Sequence, residues 1–255
     1  MPELPDLHVY ALNLNRRVLD KPITEVSGPR GGALAAAVRG AAITSVERVG
    51  KELYFRLSGK TAFSVHLMLS GQFHLSSAAE AAAIKYRLLS LAFDDGTALS
   101  VSDPRNLCKV ALNPRKGGAP DVLSPKFDRA YLGRVSRDNP WMNIKSFLTC
   151  QKIMKGIGNA YADEILYAAD LSPESFVGQV PEDALDDLFG AIGAVLTSAI
   201  DSILQIAPER IGGEERGFLK VHNPNRTATD DGEAILVKEI DGRKTYYTAK
   251  QRRFR

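Results

Sequence analysis

The sequence is poor in cysteine: it has only two, Cys108 and Cys150, and they lie in unrelated contexts without a Cys-x-x-Cys spacing. This argues against a disulfide framework and against a cysteine-rich metal site, and it favours a reducing compartment. No uninterrupted apolar run reaches about 18 residues, and the N-terminus lacks the basic and apolar regions of a signal peptide. We therefore expect a cytoplasmic protein with no membrane segment.

The chain also lacks a marked excess of charge of either sign. It has 33 lysines and arginines against 30 acidic residues, which gives a formal net charge of +3. The distribution of charge is more informative than the total. The last thirteen residues, RKTYYTAKQRRFR, contain six cations and no acid, with three aromatic side chains among them. Such a segment suits phosphate contact beside a stacking surface, or it is a solvated basic tail.

The residue patterns follow one another in an order that predicts an α+β protein, and 255 residues leave room for two domains. A helix is predicted after Pro5, since apolar residues recur at helical spacing at Leu4, Leu7, Ala11, Leu14 and Val18. From about residue 23 to 113, short β-rich runs predict a β-sandwich or barrel of local hairpins. This region is followed by a Pro- and Gly-rich linker, by helical patterns, and by a predicted hairpin around Asp241-Gly242. We place the boundaries at 1–115, 116–128, 129–215 and 216–255.

The first ten residues, MPELPDLHVY, place Pro2 and Glu3 directly ahead of the predicted helix. Once Met1 is removed, Pro2 is a chain terminus with a secondary amine. An α-amino group has a pKa near ~7.7–8, so at pH ~7.5 roughly a quarter to two-fifths of it is neutral, against about 0.1% of an ordinary lysine. The positive end of the helix dipole further disfavours the ammonium. Pro2 is therefore a candidate nucleophile, provided that Met1 is absent.

Two turns in the β-rich region present cations. Lys51 lies in RVGKELYFRL between two predicted strands, where it is either an active-site ammonium or an ordinary surface lysine. Arg105 lies in the turn VSDPRNLCKV, with Leu107 two residues later. A cation beside an apolar tip suits a wedge that enters a base stack, although it also fits an ordinary hairpin corner.

The stretch QKIMKGIGNAYADEILYAADL contains a glycine-rich turn. Gly156 and Gly158 permit a tight turn, and we expect Asn159 to cap a helix that begins at Ala160. Amides at a helix start bind anions, so the turn is a candidate DNA-phosphate site, to which Lys145 would add a charge. A helix–turn–helix of purely structural role is the alternative.

These pieces together resemble the formamidopyrimidine-DNA glycosylase/endonuclease VIII family. The stretches PELPD, GK before ELYF, HLMLSG, DPRN and QKIMKGIGNAYADEILYAADLSP occur in the family's order and spacing along essentially the whole chain. The resemblance implies a helix-two-turns-helix motif in the helical domain. It also implies a DNA glycosylase and abasic-site lyase of base-excision repair that uses no cofactor. The expected partner is double-stranded DNA with oxidised bases or abasic sites, bound by a monomer of bacterial, nucleoid-associated type.

In that family the terminal proline attacks the sugar, the following glutamate is the acid/base, and a lysine of the β-domain assists. The matching catalytic residues are Pro2, Glu3 and Lys51, with Asp6 where the family usually has a glutamate. A secondary amine that attacks C1′ gives an iminium ion while Glu3 protonates the ring oxygen. The iminium acidifies the C2′ proton, so strand cleavage by β-elimination, or by β- and δ-elimination, follows base release.

The resemblance assigns the other site residues to DNA contacts. A Met, an Arg and a Phe fill the void left by the extruded base in the family. Arg105 matches the arginine, whereas Leu69 and Leu107 replace the other two. The residues that match phosphate contacts are Lys145, Gly158, Asn159 and Arg243.

The family's zinc finger is the largest departure. Placing GRKTYY on the finger's hairpin puts Ala228, Asp231, Thr248 and Gln251 at the four cysteine positions, and none of them is a thiol. We therefore expect no metal, and a zincless finger in which packing holds the terminal β-hairpin.

The segment IAPERIGGEERGFLKVHN is shorter than the loop that closes over 8-oxoguanine in members specialised for that base. This favours formamidopyrimidines, oxidised pyrimidines, further-oxidised guanines and abasic sites as substrates. Two other hypotheses stay open: a catalytically silent protein that binds damaged DNA on the same scaffold, and a β/helical protein unrelated to DNA. The secondary amine of Pro2 argues against the silent protein, which has no use for it.

Overall fold

The computed structural model describes residues 1–115 and 117–255. It divides into two units, one formed by Met1–Gly117 and Ile203–Glu214, the other by Gly118–Ser202 and Glu215–Arg255. The predicted linker at 116–128 begins at residue 116, which lies outside the described residues. The four-part division of the chain stays a prediction.

Helix α1 (Leu4–Val18) forms where the apolar periodicity predicts it. Pro5 lies in the first turn, where the N–H that proline lacks would have no partner within the helix. The apolar stripe faces inward, and none of its five residues is more than 7% exposed. Burial of this stripe, rather than local propensity alone, therefore holds α1 in place.

The β-rich part of the first unit contains two antiparallel sheets. Their strands are β1 (Ile23–Ser27), β2 (Ile43–Val49), β3 (Glu52–Leu57), β4 (Ala62–His66), β5 (Gln72–Ser77), β6 (Arg87–Phe93), β7 (Thr97–Ser102) and β8 (Lys109–Leu112). One four-stranded sheet has the order β2-β3-β4-β8 and the other has the order β1-β6-β7-β5. Helices α2 (Gly32–Val38) and α3 (Ala78–Ala81) were not expected, because each is too short to show a periodic apolar stripe.

The two sheets share one apolar core. Phe55 of β3 stacks on Phe63 of β4 with 4.6 Å between ring centroids, and it meets Phe73 of β5, in the other sheet, at 6.0 Å. Helix α1 packs against β2 and β3. The predicted β-sandwich with an N-terminal helix is therefore confirmed.

The second unit is mainly helical. Its helices are α4 (Arg129–Asp138), α5 (Ile144–Thr149), α6 (Asn159–Ala168), a 3-10 turn (Val177–Gln179) and most of α7 (Glu182–Ile206), whose last residues fall in the first unit. Polar N-caps explain two of the starts. Asp128 accepts from the N–H of Tyr131 at 2.6 Å, and Asn143 accepts from the N–H of Lys145 at 2.9 Å.

Helix α7 is the one helix, among the described residues, with the length and composition to cross a membrane. An 18-residue window of it has a mean hydropathy of 1.5, and 33% of that window is buried. Its buried positions, among them Leu185, Leu188, Ile192, Leu196 and Ile203, follow helical spacing. A core helix passes the same test, so this feature is weak evidence for a membrane span.

The C-terminal hairpin consists of β9 (Leu236–Ile240) and β10 (Arg243–Tyr247). Ile240 pairs with Arg243, so only Asp241 and Gly242 form the loop. Both have positive φ, at 48° and 73°, as a type I′ turn requires. The predicted hairpin, and with it the α+β class with its helical domain, is confirmed.

Candidate active site and nucleic-acid interface

The chain start forms a buried acidic corner at the beginning of α1. Pro2 is buried, and Glu3 and Asp6 are 3% and 0% exposed. The backbone N–H of Glu3 donates to Asp6 Oδ2 at 2.9 Å. This bond fixes the backbone that carries the Glu3 carboxyl. The three predicted residues Pro2, Glu3 and Asp6 are thus brought together.

Met1 is present at this terminus, and its α-ammonium forms an ion pair with the carboxylate of Glu214. While Met1 is attached, the nitrogen of Pro2 is an amide and has no nucleophilic lone pair. The chemistry expected of Pro2 therefore requires removal of Met1.

Lys51 lies on the tight turn between β2 and β3, next to Gly50, whose φ is 61°. Helix α1 packs on both of the strands that this turn connects. Burial lowers the pKa of His66, with Glu52 acting against this and the cation of Lys51 adding to it. The Lys51 charge thus acts on a partly buried imidazole that the sequence did not single out.

Asp103 organises the loop that carries Arg105 and Leu107. Its carboxylate accepts from the backbone N–H groups of Arg105 at 3.0 Å, Leu107 at 2.6 Å and Cys108 at 2.9 Å. Burial opposes the ionisation of Asp103, but these bonds and one from the Ser70 hydroxyl outweigh it and lower its pKa to about 2. Asp103 is therefore an anion that fixes the backbone of this loop.

The Ser70 bond ties a second loop to the first. That loop carries Leu69, and the thiol of Cys108 also donates to the carbonyl of Leu67 at 3.1 Å. Leu69 is 49% exposed and Leu107 is 41% exposed, and Arg105 is also exposed. The structure therefore brings two exposed apolar tips and a guanidinium onto joined loops, as a wedge requires.

In the second unit, the glycine-rich turn leads into α6 one residue earlier than expected. The helix begins at Asn159, Gly158 is its N-cap, and no side chain caps it. Gly156 has a φ of 116°, which glycine adopts without strain. The expectation that Asn159 caps the helix is wrong, because its side-chain amide donates instead to the carbonyl of Lys244 at 2.9 Å.

Lys145 is almost fully buried, at 1% side-chain exposure. Its Nζ lies 2.7 Å from Asp163 Oδ1, 2.7 Å from Thr245 Oγ1 and 3.1 Å from the carbonyl of Lys244. The ammonium donates hydrogen bonds to Thr245 and to the carbonyl of Lys244, and the carboxylate of Asp163 balances its charge. Lys145 therefore anchors the hairpin to α5 and α6 in this structure, where the sequence had predicted a phosphate contact.

Arg243 is exposed at the start of β10, directly beside Lys244. The carbonyl of Lys244 accepts from both Asn159 and Lys145, so the hairpin is fixed against the start of α6 at this point. Arg243 therefore lies one residue from the point at which the hairpin meets the start of the ten-residue helix α6. The amides at a helix N-terminus are suited to an anion.

The residues at the finger's cysteine positions do not fit zinc. Thr248 and Gln251 are 2% and 6% exposed, and neither supplies a thiolate, imidazole or carboxylate. The N–H of Thr248 donates to Gln251 Oε1 at 2.7 Å, and Gln251 Nε2 donates to the carbonyl of Leu171 at 2.9 Å. We call these two bonds the Gln251 clasp. Lys250 and Glu233 add an ion pair, so hydrogen bonds and charge hold this segment.

Two further residues organise this unit and were missed by the sequence analysis. Glu164 accepts backbone N–H groups from Lys220, Val221 and His222 at 2.9, 2.8 and 2.7 Å. His222 Nδ1 lies 2.7 Å from Asp163 Oδ2. The one available signal was the acidic pair that follows the glycine-rich turn, since an Asp-Glu pair in an apolar helix face needs partners.

Each of the two units matches a known family of protein domains. The profile for the formamidopyrimidine-DNA glycosylase N-terminal domain covers residues 1–110, and that for the formamidopyrimidine-DNA glycosylase H2TH domain covers 119–207. The formamidopyrimidine-DNA glycosylase of Carboxydothermus hydrogenoformans is 31% identical over 262 residues, 97% of this chain and 98% of its own. That of Mycoplasma genitalium is 28% identical over 97% of this chain and 94% of its own.

Solved structures agree on the fold. The complex of Lactococcus lactis Fpg (MutM) with DNA that contains an oxidised pyrimidine has a TM-score of 0.86, at 24% identity over 97% of this chain and 98% of that one. A MutM complex with DNA that contains carbocyclic 8-oxo-G has a TM-score of 0.85, also at 24% identity over 97% and 98%. At such identity the likeness shows the fold.

The fold and the N-terminal site together define a DNA glycosylase of the helix-two-turns-helix class. The chain belongs to the formamidopyrimidine-DNA glycosylase family, since both family profiles and a full-length relative above 30% identity match it. The predicted enzyme class, a DNA glycosylase with abasic-site lyase activity, is confirmed at the level of the family.

Proposed function

We propose that the protein excises oxidised bases from double-stranded DNA and cleaves the strand at the resulting abasic site, with the amine of Pro2 as nucleophile. The observation that carries this proposal is the Pro2-Glu3 pair, buried at the chain terminus where α1 begins. A chain terminus is the one place where proline has a basic nitrogen. Family membership supports the same reading.

The reaction follows from the chemistry of these groups. The Pro2 nitrogen forms a bond to C1′, and the base leaves with the electron pair of its glycosidic bond. The base takes up the proton that the nitrogen loses, and Glu3 protonates the ring oxygen as the sugar opens. The ring-opened product is an iminium ion. Loss of the C2′ proton then expels the 3′ phosphate, and a second elimination at the 5′ side gives the δ product. Hydrolysis of the remaining iminium frees Pro2.

Lys51 and Asp6 have supporting roles in this proposal. The ammonium of Lys51 provides a positive charge suited to a backbone phosphate or to a developing oxyanion. Asp6 holds the Glu3 backbone by the 2.9 Å bond at the helix start.

Each unit supplies its own DNA contacts. In the first unit, Leu69, Arg105 and Leu107 act as the wedge, supported by the exposure of all three on loops joined through Asp103. In the second, the start of α6 at Gly158 and Asn159 and the exposed Arg243 take phosphates. The burial of Lys145 supports an indirect role for it, through the hairpin.

Formamidopyrimidines, oxidised pyrimidines, further-oxidised guanines and abasic sites are the proposed substrates. Related folds have been solved with DNA that contains an oxidised pyrimidine, Fapy-dG or an abasic site. The short connection after α7, IAPERIGGEERGFLKVHN, supports a site that does not depend on a long closing loop. We further propose that the protein acts as a monomer on chromosomal DNA in the cytoplasm of a bacterial-type cell.

A panel of duplexes tests the proposal. Each duplex carries one lesion, and strand nicking is followed under single-turnover conditions for the protein with a mass-verified Pro2 terminus. Nicking of the formamidopyrimidine, oxidised-pyrimidine and abasic duplexes, faster than of the 8-oxoguanine duplex, is expected. Tight binding without nicking would instead identify a catalytically silent DNA-binding protein. The absence of both binding and nicking would show that DNA is not the substrate.

A further inference from the structure

Residues 207–214, which we call the terminal strap, run along one face of α1. Asn13 Nδ2 donates to the carbonyls of Pro208 and Arg210 at 2.8 and 2.9 Å. The hydroxyl of Tyr10 donates to the carbonyl of Gly213, and Arg17 forms an ion pair with Glu209. Positions 10, 13 and 17 share one helix face, so α1 holds the strap along more than a turn of its length.

The end of the strap is fixed from a second side. Ile211 packs against the core of the first unit. A Cβ on Gly212 would lie 2.9 Å from the carbonyl oxygen of Phe73 in β5, which is the close approach that glycine permits. The position of Glu214, two residues further, is therefore set by both α1 and the sheet.

Glu214 is held at the chain terminus. Its carboxylate forms an ion pair with the α-ammonium of Met1, with 32% and 28% of the two side chains exposed. Removal of Met1 transfers the terminal amine to Pro2, and consecutive Cα atoms are about 3.8 Å apart. A glutamate side chain has three rotatable bonds, which let its carboxylate turn towards the amine that Pro2 then carries.

We propose that Glu214 is a positioning residue for the Pro2 amine and the counter-charge of the iminium ion formed on it. The inference rests on the proposed function. When an abasic sugar reacts, the N–C1′ bond forms, the hydroxyl on C1′ leaves as water after protonation, and the nitrogen becomes cationic. The anion of Glu214 stabilises that cation.

The other acids at this corner have different tasks. Glu3 must carry a proton to the sugar and is then not an anion, while Asp6 accepts the backbone N–H of Glu3. A third carboxylate is therefore the one suited to remain ionised beside the iminium, and the strap supplies it. The sequence gives no signal of this pairing, because residues 1 and 214 meet only in the folded chain.

Three variants test the proposal. Glu214→Gln removes the charge and keeps the shape, Glu214→Asp keeps the charge on a shorter stem, and Glu209→Gln is the matched control, since it removes another strap carboxylate whose partner is Arg17. Each is prepared with a mass-verified Pro2 terminus and checked for an unchanged melting temperature. The rate of borohydride-trapped adduct formation on an abasic duplex is measured at saturating protein. The dissociation constant is measured on a duplex with a tetrahydrofuran site.

For an ion pair open to solvent, Glu214→Gln should slow adduct formation about two- to fivefold without changing the dissociation constant. Glu214→Asp should recover most of the rate, and Glu209→Gln should match the wild type. Equal rates for Glu214→Gln and wild type would overturn the inference and leave the proposed function intact. Equal slowing by Glu209→Gln would also overturn it, since the strap would then act only as structure. No adduct from the wild type would instead refute the proposed function.

Discussion

The hydroxyl of Ser70 donates a hydrogen bond to the carboxylate of Asp103, and this contact joins the two loops that present Leu69, Arg105 and Leu107. The same carboxylate holds the backbone on either side of Leu107 through the N–H groups of Leu107 and Cys108. One buried anion thus sets the geometry of both loops. The proposed wedge must be stiff to replace a base, and the hydrogen bonds of Asp103 supply that stiffness.

Replacing Asp103 with Asn should impair base excision more than abasic-site cleavage. Excision of an oxidised base requires extrusion and a firm wedge, whereas an abasic site has no base to extrude. We expect a fall of about tenfold or more in the single-turnover rate on an oxidised-base duplex, with a smaller fall on an abasic duplex. An equal fall on both substrates would contradict a role in extrusion.

The Asp103 carboxylate should also give a pH signature in stability. Its pKa is lowered to about 2 in the folded protein, against about 3.9 when unfolded, so its contribution is complete above pH ~4 and is lost as pH falls towards ~2. The difference in unfolding free energy between wild type and Asp103→Asn, about 1–3 kcal/mol at neutral pH, should therefore shrink over that range. Asp95, whose pKa is also about 2 through Lys21 and Thr97, is the control. Asp95→Asn should leave excision unchanged.

Lys145→Met should destabilise the protein rather than remove a phosphate contact. It leaves Asp163 buried without its cation, which typically costs about 3–5 kcal/mol. The double variant Lys145→Met/Asp163→Asn should recover part of the loss in melting temperature. The slope of log affinity for DNA against log salt should stay at the wild-type value for whatever protein remains folded. A slope reduced by about 0.9 would show that Lys145 does reach a phosphate.

Arg243→Gln should leave stability almost unchanged and reduce the salt dependence of DNA binding, the reverse of what we expect for Lys145→Met. The side chain is exposed at the hairpin turn, so unfolding free energy should change by no more than about 0.5 kcal/mol. If the guanidinium contacts one phosphate, the salt slope should fall by about 0.9 and affinity should weaken for all duplex sequences alike. Arg39→Gln, which removes an exposed arginine after α2, is the charge control and should leave the slope unchanged.

Gln251→Ala should loosen the terminal hairpin. Loss of the Gln251 clasp leaves the buried N–H of Thr248 and the carbonyl of Leu171 without their partner, at a cost of about 1–3 kcal/mol. Melting temperature and DNA affinity should both fall, whereas the exposed Gln179→Ala should change neither. A chelator should not affect wild-type activity. Loss of activity on chelation, restored by zinc, would contradict a finger held by hydrogen bonds.

Local patterns predicted the elements well, because the forces that set them act over a few residues. The apolar stripe of α1 and the Asp241-Gly242 turn are of this kind, and both were located correctly. Contacts between residues far apart in the sequence could not be predicted from such local patterns. The burial of Lys145 depends on Asp163 and Thr245, and the pairing of Glu214 depends on the chain terminus.

If Pro2 forms the covalent intermediate, borohydride cross-linking will capture it there. The protein is incubated with an abasic duplex, borohydride is added, and the modified peptide is located by mass spectrometry. We expect a reduced adduct on the N-terminal nitrogen of Pro2, with Met1 absent, and none when an uncleaved extension precedes Pro2. An adduct on Lys51, or strand cleavage by the extended protein at the wild-type rate, would contradict it.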